Sequence, residues 1–190
     1  PKGEGLILRL GFRQIDGFRQ AWADAITAAR AAGPFTSVED LARRAALPLP
    51  ALRKLADADA FGSLAHNRRT ALWEVRRTPA DQLPLFAFAD AAELGAEADA
   101  QLPAMPLAEE VVADYQTIRL SLKGHPVQFL RPALTADGVL SCAAANAMPD
   151  GRKVRVAGVV LTRQRPGKGH AVFITIEDES GVANIIIWQR

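Results

Sequence analysis

The sequence is poor in the residues that build disulfide frameworks, metal sites and membrane spans. It has one cysteine, Cys142, together with three histidines and two methionines, and aromatic residues make up 6% of the chain. A single cysteine excludes an internal disulfide and a multi-cysteine metal site, and it fits a reducing cytoplasm. No apolar run reaches the roughly 18–20 residues that cross a bilayer, and no signal-peptide layout is present. We therefore expect a cytoplasmic protein with no membrane segment.

The remaining composition is that of a folded protein. Of the 190 residues, 49% are hydrophobic and 23% are charged, which is enough apolar material for a sizeable core in one or two domains. The first residue is Pro1 rather than methionine, and the far end stops within a predicted strand. We expect the chain to be an internal piece of a longer protein.

Charge is distributed unevenly along the chain. Residues 1–78 carry 13 Lys and Arg against 8 Asp and Glu, residues 79–115 carry none against 8, and residues 116–190 carry 10 against 5. Because basic surfaces attract phosphate and acidic ones repel it, the two ends are expected to bind nucleic acid and the middle a protein partner. The alternative is that the basic residues only solvate helix faces.

A glycine turn precedes the first predicted helix. Gly17 follows Ile15 and Asp16, and the apolar spacing beyond it predicts a helix over residues 20–32. Since glycine has no Cβ, the chain can adopt a positive φ there and approach a phosphate closely, while the helix points its N–H groups at the same place. The pattern predicts a backbone-binding turn. An ordinary helix connection with a capping glycine is the alternative.

Three more helices are expected in the first 78 residues. Ser37 has the position of a helix N-cap with Asp40 three residues later, and Pro50 fits the first turn of the next helix. Residues 67–77 form a basic helix at the end of this block. Two helix-hairpin-helix units in tandem are the simplest interpretation.

The acidic middle of the chain contains one short motif. Residues 79–106 form a linker rich in Ala and Pro. Within this linker is an extended peptide motif with the side chains Gln82, Leu83, Leu85 and Phe86. Such a segment can anchor its apolar side chains in a groove of another protein. Packing of the same side chains onto the chain's own helices is an equally good interpretation.

A helix is predicted over residues 107–122, after the linker. Gly124 is expected to cap it, and Pro126 prevents its continuation. His125 has no nearby cysteine, histidine or paired carboxylate, so a capping or packing role is expected for it rather than metal binding.

The last 40 residues have the alternation of β-strands. Strands are predicted over residues 154–162, 171–177 and 182–188, with a hairpin between the last two. The loop after the first strand contributes Arg163, Arg165 and Lys168. A three-stranded sheet with a charged loop is the simple interpretation of this segment, and in it Phe173 belongs to the core.

Several of these motifs together resemble one family. The glycine turn, the break at residues 33–35 and the second hairpin at residues 58–61 resemble the tandem helix-hairpin-helix domain of bacterial C-family DNA polymerases. Residues 120–126, ending in Gly-His-Pro, resemble an element of that family, and the form Lys-Gly-His-Pro is closest to its error-prone branch. The last segment is similar to the family's OB domain.

The resemblance assigns roles to the motifs. It implies that the basic loop of the OB domain tracks single-stranded nucleic acid, with Phe173 offering a face for base stacking. It also implies that residues 82–86 bind the sliding clamp, although error-prone members depend on accessory mutagenesis proteins for clamp access. An OB-fold needs five strands and three are predicted, so the fold is expected to be truncated.

The first and second hairpins depart from the family pattern in opposite ways. Arg19 replaces a second glycine in the first hairpin and adds positive charge, whereas Asp59 replaces a glycine in the second and adds negative charge. The predicted DNA contacts of the first hairpin are therefore Arg13, Gly17, Arg19 and Gln20. The second hairpin is expected to be mainly structural, with Arg68 and Arg69 as its better candidates for DNA contact.

These observations predict an α+β chain with four segments. They are a tandem helix-hairpin-helix domain (1–78), an acidic linker (79–106), a helical connector (107–150) and the first three strands of an OB-fold (151–190). The expected function is sequence-nonspecific DNA binding and partner docking within an error-prone DNA polymerase that acts in DNA repair and damage-induced replication. No catalytic carboxylate cluster or cofactor is expected here, although the parent polymerase is expected to use Mg²⁺.

Two other functions fit the same residues. The chain could be a helix-hairpin-helix and OB module of another repair protein, which the sequence upstream of Pro1 would distinguish. It could also be a protein-interaction scaffold whose basic faces bind acidic partners, which a DNA-binding measurement would distinguish.

Overall fold

The computed structural model describes residues 10–78, 102–167 and 170–188. The chain divides into two compact units, Pro1–Leu120 and Ser121–Arg190. Helices dominate the first unit and a small sheet lies in the second, so the predicted α+β class is confirmed. The division falls after Leu120, inside the range 107–150 that we predicted as one helical connector.

Helices form most of the first unit. Their bounds are α1 (Gln20–Arg30), α2 (Val38–Arg44), α3 (Leu49–Asp57), α4 (Arg68–Arg77) and α5 (Leu107–Ile118), with 3₁₀ turns at Phe12–Gln14 and Gly62–Leu64. Ser37 begins α2 as predicted, because its side chain accepts the N–H of Asp40. Asn67 begins α4 in the same way through the N–H of Thr70.

The core of the first unit brings the helices of both hairpins together. Ile26 of α1 and Leu52 and Leu55 of α3 are its largest fully buried side chains, and Ile118 of α5 belongs to the same cluster. Burying each such side chain stabilises the fold by about 1.5–3 kcal/mol. The two hairpins therefore share one core and are not separate modules.

Arg44 holds the break between α1 and α2. Its guanidinium donates hydrogen bonds to the carbonyls of Ala29, Gly33 and Pro34 at 2.6–2.9 Å, and it stacks on Phe35 at 4.6 Å. The carbonyl of Ala29 lies in the last turn of α1 and those of Gly33 and Pro34 lie beyond it, so the arginine adds a donor to each of them as a C-terminal cap would. The basic charge of Arg44 thus serves the fold.

Helix α5 is shorter than the predicted helix over residues 107–122. It ends at Ile118 because Arg119 adopts a left-handed conformation with φ of 66°, and Leu122 beyond it is 60% exposed. The prediction that Gly124 caps this helix was wrong. His125 has the predicted capping role, since its Nδ1 accepts the N–H of Val127 at 3.2 Å and begins the 3₁₀ turn Pro126–Phe129.

The second unit combines two short helices with two small sheets. Its elements are α6 (Arg131–Ala136), β1 (Val139–Leu140), α7 (Cys142–Asn146), β2 (Arg155–Val156), β3 (Val159–Gln164), β4 (Ala171–Asp178) and β5 (Gly181–Trp188). β1 and β2 pair in parallel, and β3, β4 and β5 form an antiparallel meander. The predicted hairpin of the last two strands is confirmed.

The first predicted strand is divided in two by a glycine. Gly158 lies between β2 and β3, and a Cβ built on it would be 2.6 Å from the carbonyl oxygen of Glu177. This close approach leaves room for glycine alone, so the chain bends and β2 pairs with β1 while β3 pairs with β4. Buried Cys142 of α7 packs with Ile176 and Ala183 on one face of the meander.

Candidate nucleic-acid interface

The first hairpin presents its polar side chains to solvent. Gly17 has φ of 67°, as the glycine turn predicted, and Arg19 follows it as the N-cap of α1. Arg13, Arg19 and Gln20 are exposed. The structure therefore brings together the four residues predicted for DNA contact, in one turn of chain around the start of α1.

The electrostatics of this turn favour an anion. No side chain caps the N-terminus of α1, and its first turn contains no acidic residue. The N–H groups there and the helix dipole present partial positive charge, to which Arg13 and Arg19 add two full charges. Arg19 is held in place by stacking on Trp22, with its guanidinium carbon 5.0 Å from the ring centre. The arrangement can bind phosphate without recognising a base.

Aromatic packing supports the turn from beneath. The rings of Phe12 and Phe18 stack with centroids 5.5 Å apart, and Phe18 meets Trp22 edge to face at 5.3 Å. Ile15 between them is buried. Because these contacts fix both sides of Gly17, the charged residues are held on a rigid support.

Contacts from distant segments also hold the turn, and the sequence did not indicate them. The Nζ of Lys54 in α3 donates to the carbonyl of Asp16 at 2.7 Å, and the N–H of Asp16 donates to the carbonyl of Thr117 in α5 at 2.9 Å. Arg119 forms an exposed ion pair with the carboxylate of Asp16 at 2.9 Å. Lys54 adds positive charge beside the predicted contacts, whereas the charge of Arg119 offsets that of Asp16. No local pattern could have joined residues so far apart in sequence.

The second hairpin also has a residue at positive φ, but with different chemistry. Asp59 has φ of 55°, so it occupies the left-handed conformation that favours glycine. Asp is one of the few other residues that tolerate this conformation. Its negative charge is placed where the first hairpin has Gly17 and Arg19.

Arg68 is a structural residue, and its predicted contact with DNA was wrong. It is 2% exposed, and its Nε donates to the carbonyl of Asp57 at 2.9 Å. Its Nη1 pairs with Glu110 at 2.9 Å and its Nη2 pairs with Asp114, both on α5. A guanidinium enclosed by two carboxylates and shielded from water cannot reach a phosphate. The arginine instead joins the second hairpin to α5.

Arg69 is also engaged by this part of the chain. Its Nη2 pairs with Glu109 at 3.0 Å and its Nη1 donates to the carbonyl of Pro103 at 2.9 Å. The side chain is 32% exposed. DNA contact by Arg69 would require phosphate to replace Glu109, so the second hairpin offers less free positive charge than the first.

Two of the residues predicted for single-strand contact in the second unit, Arg163 and Phe173, lie on opposite faces of the sheet. Arg163 pairs across the sheet with Ile174, whereas Gln164 pairs with Phe173. Because directly opposed residues project to the same face and neighbours to opposite faces, Arg163 and Phe173 lie on opposite faces of the meander. Phe173 is 42% exposed, and Arg163 and Arg165 are exposed. Arg163 and Phe173 therefore cannot contribute to one surface, and the predicted contacts of Arg165 and Phe173 with a single strand remain predictions.

Two groups of predicted residues lie outside the described residues. Lys168 is one of them, and the other is the linker motif of Gln82, Leu83, Leu85 and Phe86. The predicted roles of these residues remain predictions.

A buried polar cluster organises the turn between β4 and β5. The carboxylate of Asp178 accepts the N–H of Cys142 at 2.7 Å and both the N–H and the hydroxyl of Ser180, and it pairs with Arg131 at 2.7 Å. Burial raises the pKa of Asp178, but the hydrogen bonds from Ser180 and Cys142 and the charge of Arg131 outweigh it and lower the pKa to about 2. Burial likewise raises the pKa of the Cys142 thiol. These contacts hold the sheet against α6 and α7.

Metal and membrane features were sought in the described part of the chain. Within residues 10–78, 102–167 and 170–188, no group of three or more His, Cys, Asp or Glu side chains is arranged to hold a metal ion. In the same ranges no helix has the length and hydropathy needed to cross a membrane.

Comparisons with known proteins identify the motif that contains the first hairpin and the proteins that the chain resembles. A model of the helix-hairpin-helix motif matches residues 2–71. The chain is 54% identical over 98% of its length to an error-prone DNA polymerase of Rhodopseudomonas palustris (strain BisA53) and covers 18% of that protein. It is 54% identical over 97% of its length to one of Brucella abortus and 59% identical over 89% to one of Bradyrhizobium sp. (strain ORS 278), covering 17% and 15% of them.

The chain thus spans less than a fifth of the length of the curated relatives that it matches. The predicted resemblance is confirmed: over nearly its whole length the chain is homologous to one region of the error-prone DNA polymerases, and it carries their helix-hairpin-helix motif.

Proposed function

We propose that the chain is the DNA-binding, non-catalytic region of an error-prone DNA polymerase and that it grips the sugar-phosphate backbone through its first hairpin. One observation carries this proposal. Arg13, Arg19 and Gln20 are exposed around the uncapped start of α1, directly after a glycine with positive φ. That geometry suits phosphate and offers no element for entering a groove, so binding is indifferent to base sequence.

The same proposal extends to the activity and partners of the whole polymerase. The relatives' name, error-prone DNA polymerase, supports DNA synthesis by the whole protein. We propose in addition that this nucleotidyl transfer uses Mg²⁺ and takes place in the cytoplasm during DNA repair and damage-induced translesion replication. Docking to the sliding clamp through residues 82–86, or through accessory mutagenesis proteins, belongs to it as well. The second unit would supply the first strands of an OB-fold, a fold that commonly binds single strands. Its antiparallel meander supports that assignment.

DNA affinity measured against salt concentration tests the proposal. The intact chain is titrated with duplexes of unrelated sequence by fluorescence anisotropy at several salt concentrations. Affinity is expected to be the same for all sequences, and log Kd to change linearly with log salt. Replacing Arg13 and Arg19 by Ala should lower that slope by up to about two units, roughly 0.9 for each phosphate that the variant no longer neutralises.

Two results of this titration would contradict the proposal. Circular dichroism serves as the control for folding. The double variant should be folded because both replaced side chains are exposed. Unchanged affinity and slope in a folded variant would remove the first hairpin from the DNA site. Strong preference for one base sequence would argue against backbone binding.

A further inference from the structure

A basic groove lies in the second unit, beside the parallel pair of β1 and β2. Its volume is about 340 Å³, which is within the range of cavities that hold small ligands. Three of its lining residues are cations, Arg152, Lys153 and Arg155, and none of the described residues that line it is acidic. The groove does not include the loop of Arg163 and Arg165.

The backbone around the groove holds its cations in fixed positions. Residues 149–152 form a tight turn in which the N–H of Arg152 bonds the carbonyl of Pro149 at 3.4 Å and Gly151 has φ of 80°. A glycine at the third position suits a turn of this type. Arg155 is in β2, and its guanidinium donates to the carbonyl of Asp137. Arg155 is therefore held by a backbone carbonyl, Arg152 closes the turn and Lys153 follows it.

A second glycine makes room for Arg155. Gly138 has φ of 71°, and a Cβ built on it would be 3.2 Å from Nη2 of Arg155. The guanidinium thus lies over a residue that has no side chain. Its position at the groove wall depends on that contact.

The charges of the groove are available to a ligand. Arg152 and Lys153 are exposed, and within the described residues no carboxylate pairs with either of them. The neighbouring acids in the sequence, Asp137 and Asp150, are exposed and do not line the groove. Cations that line one groove without a paired carboxylate favour an anionic ligand with repeating charge.

Apolar side chains are interleaved with the cations. Met148 is 40% exposed and Val154 is 42% exposed, and both line the groove. Duplex DNA presents phosphate and sugar on its outside and keeps its bases stacked within. Its base faces are therefore not available to contact such side chains. An unpaired strand offers phosphates and base faces to the same surface.

We propose that this groove binds single-stranded DNA, with phosphates on Arg152 and Lys153 and a sugar or an unpaired base against Met148 and Val154. The inference rests on the proposed function, because it takes DNA as the phosphate source. It adds to the first hairpin a second contact that prefers unpaired strands.

The test compares two double variants of the intact chain on two DNA substrates. Arg152→Gln with Lys153→Gln removes two groove cations, and Arg53→Gln with Arg76→Gln removes two exposed cations of the first unit as a charge-matched control. Affinities for an oligothymidine and for a duplex are measured across a salt series. The groove variant should lower the salt slope on the single strand by about 1.4, at roughly 0.7 for each contact, and change the duplex slope little. The control should leave both slopes near the wild-type values.

Further measurements separate the possible causes. Met148→Ala, which leaves charge unchanged, should weaken single-strand binding and spare duplex binding. Replacing chloride by inorganic phosphate at equal ionic strength should not abolish oligothymidine binding, and full competition would mean that the groove is a site for free anions.

Each remaining outcome decides whether the groove, or the proposed function itself, is rejected. Equal losses on both substrates, or equal losses in the groove variant and the control, would overturn the single-strand groove in favour of general electrostatics. Unchanged single-strand binding in a chain that still binds duplex would overturn the groove and leave the proposed function standing. A wild-type chain that binds neither substrate would overturn the proposed function itself.

Discussion

Each of the two hairpins of the first unit has a residue at positive φ, and the chemistry around these two residues is opposite. The first places a glycine at positive φ and leaves Arg13 and Arg19 exposed, whereas the second places Asp59 at positive φ and buries Arg68 against α5. A repeated motif therefore does not imply a repeated function. One copy is arranged to bind phosphate, and the other attaches a helix from a distant part of the sequence.

The difference between the hairpins arises from the carboxylates that lie near each arginine. Arg68 faces Glu110 and Asp114 of α5, whose carboxylates offset its charge, and it also donates to the backbone carbonyls of Asp57 and Glu110. No described carboxylate pairs with Arg13 or Arg19, and Arg19 rests on an aromatic ring that leaves its charge uncancelled. Positive charge in the sequence thus becomes binding charge only where the fold leaves it unpaired.

The largest expected effect concerns the buried arginine. Arg68→Met keeps most of the side-chain volume but leaves Glu110 and Asp114 buried without their cation. We expect the free energy of unfolding to fall by about 3–5 kcal/mol, because an uncompensated buried charge is strongly destabilising. Urea unfolding measures the loss.

Arg76→Met on the same helix is the matched control for that variant. Arg76 is exposed, so its replacement should change the free energy of unfolding by less than about 0.5 kcal/mol. If Arg68→Met were as stable as the control and bound DNA more weakly, Arg68 would be a DNA contact after all and the two hairpins would be alike.

A second prediction extends the role of buried charge to the second unit. The side chain of Asp178 is fully buried, and its pKa is about 2 in the folded chain compared with an ordinary value of 3.8. Since the folded pKa is the lower one, the stability is present above about pH 4 and is lost as the pH falls towards 2. The shift corresponds to about 2 kcal/mol.

Hydrogen exchange of the β4 and β5 amides measures that stability in the second unit alone. The wild type should be more protected than Asp178→Asn near neutral pH, and the difference should disappear at about pH 2. A difference that stays constant from about pH 6 to 2 would mean that the carboxylate charge of Asp178 does not stabilise the turn.

A smaller loss of stability is expected when Gly17, the glycine of the first hairpin, is replaced. Gly17→Ala forces an L side chain to φ of 67° and places its Cβ 3.0 Å from Nζ of Lys54. The substitution should cost about 1–2 kcal/mol and weaken DNA binding, because the turn that presents Arg19 must move. Thermal unfolding and anisotropy give the two values.

Gly62→Ala in the second hairpin is the control for this change. Gly62 has open space around it and an ordinary φ, so its replacement should alter neither stability nor DNA affinity appreciably. Equal effects of the two alanine substitutions would show that the first glycine has no special role.

Local features of the fold were predictable from the sequence. The Ser37 cap, the proline start of α3 and the hairpin of β4 and β5 depend on residues close in sequence, and they were predicted correctly. The end of α5 was missed because Arg119, a residue with no glycine-like preference, adopts the left-handed conformation.

The candidate site was predictable only where it is local. Gly17 and its neighbours lie within one turn of chain, and the glycine signals the backbone conformation. The burial of Arg68 depends on carboxylates 42 and 46 residues away, and the separation of Arg163 from Phe173 depends on strand register. Charge counts along the sequence contain neither piece of information.

The most direct test of the difference between the hairpins is one salt titration of duplex binding on three proteins. These are the wild type, Arg13→Ala with Arg19→Ala, and Arg69→Ala, which removes the more exposed arginine of the second hairpin. The first-hairpin variant should lower the slope of log Kd against log salt by up to about 1.8, at roughly 0.9 for each phosphate, and Arg69→Ala should leave it unchanged. A slope lowered by Arg69→Ala and untouched by the first-hairpin variant would contradict the account.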